Sequence, residues 1–103
     1  MRLIQDLSEN IEEEIEGVKN YAKMAIEVRA DYPLVADTLY TISRQEADHV
    51  NKLHEAVTNV IKDYRQKNGE PPADMLAVYN YLHKQQIEDM ADARRYLDMY
   101  QGK

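Results

Sequence analysis

Chain breakers are scarce in this sequence, and most of them gather at two places. The chain has 3 Gly and 3 Pro in 103 residues. One group is Asp31-Tyr32-Pro33, the other is Asn68-Gly69-Glu70-Pro71-Pro72, and Gly102 stands beside the end. Between these points apolar residues recur at spacings of three and four, without the alternation a strand needs. Pro33 suits the first turn of a helix, Gly69 the position just past a helix end, and Pro71-Pro72 the entry to the next helix. The pattern predicts three helices, near 3–30, 33–67 and 72–101, in a single all-α domain over 1–103. Short connections imply an up-down-up order of antiparallel neighbours. Gly17 alone lies inside a periodic stretch, where it costs a helix about 1 kcal/mol relative to Ala.

Charge and composition remove several function classes. With 13 Lys+Arg against 19 Asp+Glu the net charge is −6, and the basic residues are scattered. Phosphate-backbone binding is therefore not expected, and no nucleic-acid partner is. The absence of Cys removes disulfides, thiolate zinc sites and cysteine nucleophiles. No Gly-rich phosphate loop, no serine beside a histidine and no arginine cluster is present. No apolar run approaches the ~20 residues of a membrane span. Met1-Arg2-Leu3-Ile4-Gln5-Asp6 turns polar too early for a signal peptide. A cytoplasmic protein with no membrane partner is the expectation.

At about 100° per residue each helix carries one apolar stripe. The first runs through Leu7, Ile11, Ile15, Val18, Ala22 and Ala25, and the second through Val35, Leu39, Ile42, Leu53, Val57, Val60 and Tyr64. The third takes Met75, Tyr79, Leu82, Met90, Ala93, Leu97 and Tyr100. The second stripe is broken between Ile42 and Leu53, and Glu46 and His49 fill the gap. Three positions apart, they emerge from one face about a turn from each other, as a carboxylate and an imidazole sharing one ion must. On the first helix four glutamates crowd together, but only Glu14 continues the inward 4-3-4-3-4 pattern; Glu12, Glu13 and Glu16 fall at its edge or outside. Counted from the turn near residue 30, Glu14, Glu46 and His49 stand at roughly 24, 21 and 26 Å. Two carboxylates and a histidine meeting at one level inside a helical seam need a compensating charge, and a divalent cation supplies it. The plainer reading is a core histidine held by hydrogen bonds, with glutamates whose stems carry their heads out to water.

Glu14-x6-Tyr21 followed by Glu46-x-x-His49, within the stretch Arg44-Gln45-Glu46-Ala47-Asp48-His49, resembles the first half of the ferritin-like di-iron carboxylate proteins, the group of ferritins, bacterioferritins, rubrerythrins and encapsulated ferritins. The likeness covers residues 7 to 64. It implies a ferritin-like helical hairpin in which Glu14, Glu46 and His49 are metal ligands, Glu46 bridges, and Tyr21 orients a ligand or serves as a redox neighbour. It also implies iron in a di-iron centre, with manganese or zinc as possible replacements, and Fe(II) oxidation by O₂ or peroxide as the activity. Peroxide reduction fed through a Cys₄ centre is not expected of a chain without Cys.

Only one helix follows, and it repeats no Glu-x-x-His. Asp89 is its sole rim candidate for a ligand, and His83, level with His54, reads as its structural or surface partner. Three ligands are too few for two metals, so the expected state is a homodimer or larger homo-oligomer whose second copy completes a four-helix bundle and the site. Met99-Tyr100-Gln101-Gly102-Lys103 does not resemble the extended tail of encapsulated ferritins, so capsule loading is not expected. The alternative from another class is a metal-free helical interaction module of bacterial or prophage origin, in which Glu46 and His49 only set the register of an interface.

Overall fold

The computed structural model describes residues 2–102. Met1 and Lys103, which enter the expectations about a leader and a tail, lie outside the described residues. Three helices fill the chain: α1 Arg2–Val28, α2 Pro33–Asn68 and α3 Ala73–Gln101, with no strand among the described residues. The first turn forms where Tyr32 N–H donates to Val28 C=O at 2.8 Å and Pro33 opens α2, needing no donor there. At the second turn Gly69 has φ 78° while its N–H still reaches Arg65 C=O at 3.1 Å, a conformation that a Cβ would strain. The 36 residues of α2 extend about 54 Å, close to the 56 Å long axis of the molecule.

α1 packs against both other helices, and small residues decide how closely. Val18, Ala22 and Ala25 of α1 and Ala36, Ser43 and Ala47 of α2 are all buried. The Ser43 hydroxyl donates directly to the Val18 carbonyl at 2.6 Å, so the two backbones approach within reach of one short side chain. Ile4, Ile11, Ile15, Val50, Val57, Met90 and Leu97 complete one continuous core. α3 is fastened to α1 by Gln86, which donates to Ser8 C=O at 3.3 Å, and by the Lys19–Asp92 ion pair at 3.0 Å. Its last turn reaches α2, where the Tyr40 and Tyr100 rings stack with centroids 4.6 Å apart.

The buried line of α2 departs from the expected stripe. It runs through Ala36, Ser43, Ala47, Val50, Val57 and Ile61, whereas Leu39, Ile42, Leu53, Val60 and Tyr64 are half-buried and Val35 is 50% exposed. The reason is that α2 meets α1 along one flank and α3 along the other, which turns its core line toward Tyr40, Ala47 and His54. The larger apolar residues are left at the margin, on the side of the hairpin away from α3. No helix among the described residues is long and apolar enough to cross a membrane.

Candidate metal centre

Glu14, Glu46 and His49 come together on that outer side. On α1, Glu14 lies about 140° around the helix from Lys19, which faces α3. The Nδ1 of His49 is 3.5 Å from Glu14 Oε2 and 3.8 Å from Glu46 Oε1. One donor atom from each residue lies within 4.8 Å of the other two. An ion bound at about 2.1 Å to each donor holds any two no more than about 4.2 Å apart. Small side-chain adjustments therefore close this set on a single cation. The cluster is half open: 27% of the Glu14 side chain and 24% of Glu46 are exposed, against 50% of His49. No third helix covers this flank among the described residues.

Electrostatically the cluster is anionic and unbalanced. Glu14 Oε2 is buried and has no hydrogen-bond partner, and no Lys or Arg forms an ion pair with either carboxylate among the described residues. Glu46 is pushed above the ordinary carboxylate range. Protonation lets it hydrogen-bond to Glu14, which is the largest cause; burial and the Glu14 charge add to it, and His49 opposes it. A carboxyl group whose hold on a proton is raised by a facing carboxylate is one whose repulsion a divalent cation would relieve. The donor set of carboxylate oxygens and an imidazole suits iron and manganese.

The remaining sequence candidates fall elsewhere. Glu12, Glu13 and Glu16 are exposed, and they line the groove between α1 and α3 with Asp89, which is also exposed and outside the cluster. Tyr21 is half-buried two turns beyond Glu14 on the same face and makes no hydrogen bond to the three. His54 and His83 do pair, with rings 5.1 Å apart and edge to face, and Tyr79 stacks on His83 at 5.8 Å. Sequence reasoning saw only the helical cost of Gly17 and missed that it faces Glu46 across the hairpin. Its spacing of three from Glu14 was the available signal.

Against known proteins, the family model described as Rubrerythrin matches residues 6–101. The chain belongs to the rubrerythrin family. No curated protein and no solved structure matches it. Membership in this ferritin-like di-iron family implies metal binding of the ferritin-like kind, and the Glu/Glu/His cluster is a donor set of the type such binding uses. The match spans all three helices, so it takes in α3, which the resemblance of residues 7 to 64 had left out.

Proposed function

We propose that this rubrerythrin-family protein oxidises Fe(II) at a di-iron site formed between two chains. The observation that carries the reading is the Glu14 carboxylate, buried through Oε2 without a partner and turned toward Glu46 and His49. In this reading Glu14 is a terminal or bridging carboxylate, Glu46 the bridging carboxylate and His49 the neutral imidazole ligand. Tyr21 stands beside them as an orienting or redox neighbour. Iron held by these residues would supply electrons, one from each Fe(II), to dioxygen or peroxide. A bound cation would relieve the repulsion between Glu46 and Glu14, and the half-exposed His49 marks the path from solvent.

The second chain follows from the number of donors. Three ligands cannot hold two ions, and the half-buried Leu7 and Tyr21 of α1 and Leu39, Ile42 and Leu53 of α2 surround the cluster on the same open flank. A second copy of the hairpin, docked antiparallel about a two-fold axis, would cover that apolar margin and bring another Glu and another Glu-x-x-His. The test combines elemental analysis after anaerobic Fe(II) loading, oxidation on admitting air, and mass by sedimentation. About one iron per chain, oxidation lost in His49→Ala, and a mass of two chains or more are expected. Less than about half an iron per chain, unchanged by Glu46→Ala, would leave the metal-free interaction module, and an iron-loaded monomer would defeat the shared site.

A further inference from the structure

Gly17 sits in the middle of α1, far from any turn, with ordinary helical backbone. Nothing in its local conformation calls for glycine. Its surroundings do. An ideal Cβ built there would lie 3.0 Å from Glu46 Oε2 and 3.5 Å from both Cδ and Cγ of the same side chain. The three nearest atoms all belong to Glu46, and the contact is tighter than ordinary van der Waals separation. The other carboxylate oxygen of Glu46, Oε1, is the one that faces His49. The two ends of this carboxyl group are thus fixed differently: one toward the imidazole, the other against bare α1 backbone.

We infer that Gly17 is a positioning residue for the metal centre, a side-chain-free slot that admits the Glu46 carboxylate to the surface of α1 beside Glu14. The inference rests on the metal-binding reading above and deepens it. Without the slot Glu46 must withdraw by a few tenths of an ångström, which moves Oε1 relative to His49 and Glu14. The position is distinct from a packing glycine, because no backbone and no core side chain is what a methyl group would strike first.

Two arms test this, one without metal. In the metal-free protein, Gly17→Ala is made alone and in the Glu46→Ala background, and thermal melting is compared with the parent of each. A helix-interior Ala for Gly raises the melting temperature of a domain this size by about 4 °C when nothing obstructs it. The full gain is expected in the Glu46→Ala background and a smaller gain, or a loss, beside an intact Glu46. Equal changes in both backgrounds, including failure to fold in both, would overturn the slot. In the second arm Co(II) is titrated into the wild type and Gly17→Ala, read by its visible absorption. Affinity about tenfold weaker with an altered spectrum is expected, the scale of losing a neighbour that orients a ligand. Unchanged affinity and spectrum would overturn the positioning role. A wild type that takes up neither Co(II) nor Fe(II) would instead overturn the metal reading, whatever the melting arm shows.

Discussion

Two polar clusters lie on opposite sides of the α1–α2 hairpin, and each holds one buried atom without a hydrogen-bond partner. Glu14 Oε2 is the first, and His83 Nδ1 the second. On the outer side two carboxylates face one imidazole, with excess negative charge and no covering helix. On the α3 side no carboxylate takes part and the groups interlock: His54 Nε2 lies 3.3 Å from Gln86 Oε1, Gln86 donates to Ser8 C=O, and Tyr79 stacks on His83. Gln86 is only 2% exposed. Burial of a polar atom is thus common to both, and the facing carboxylates separate them. A cluster without carboxylates can be closed by rings and amides from the chain itself, whereas two facing carboxylates call for a cation.

The widest separation between the two should appear when metal is added. A divalent ion present at about 100 times its dissociation constant stabilises the folded state by about 2.7 kcal/mol. That increment is expected in the wild type and in Gln86→Ala, and is expected to vanish in His49→Ala; urea denaturation with and without Mn(II) measures it. Equal stabilisation of all three would place the ion elsewhere. Gln86→Ala should itself cost about 2 kcal/mol without metal, since it removes the hydrogen bonds to Ser8 and His54 and leaves a void between α1 and α3. If it also abolished the response to Mn(II), the two clusters would not be independent.

Acid should move them in opposite directions. Burial, and then the neighbouring His54, hold His83 below its usual 6.5. As pH falls through about 6.5 the unfolded chain takes up a proton that the folded chain refuses, so stability is lost. Glu46 is held above its usual 4.5, so in the metal-free protein its folded form binds the proton first. The repulsion it suffers at neutral pH is relieved as pH falls through its raised value. Glu46→Gln should therefore stabilise the metal-free protein at about pH 7, by roughly 1 kcal/mol or less, while removing metal binding. Stability should fall between about pH 7.5 and about pH 5.5, and His83→Leu should flatten that loss. A slope unaffected by His83→Leu would show that the α3-side cluster does not titrate with folding.

Much of this was legible in the residues. The breakers at 31–33 and 68–72 set the helix ends within two residues, because Gly and Pro act through local backbone geometry. Glu14 was separable from Glu12, Glu13 and Glu16 by angle alone, and the arithmetic of rise per residue put it level with Glu46 and His49. The openness of the cluster was not legible. One wheel per helix gives one stripe, but α2 has two neighbours on different flanks, and only their placement shows which apolar residues are left over. Gly17 was readable as a cost and not as a slot, since its reason lies on another helix. Gln86 lies on the angle of the third stripe between Leu82 and Met90, and only its polarity kept it out of the expected core; its partners, Ser8 and His54, come from two other helices.

The smallest effect belongs to the far end of the hairpin, where a third arrangement borrows something from each cluster. Tyr100 donates its hydroxyl proton to Asp37, stacks on Tyr40, and lies under the Arg29 guanidinium at 4.0 Å, while Arg29 also donates to the Tyr100 carbonyl. The hydrogen bond to Asp37 pushes the Tyr100 phenol above its ordinary 10.0. Here a carboxylate is present, as at Glu14, but it has a donor from its own chain and a cation close by, so it calls for no added ion. Tyr100→Phe keeps the stack and removes only the hydroxyl. A loss of about 0.5–1 kcal/mol is expected for this exposed bond, with Mn(II) stabilisation unchanged. A larger loss, accompanied by weaker metal binding, would mean that the last turn of α3 holds the hairpin in register as far as Glu46, a coupling over six residues of α2 that the separate contacts do not require.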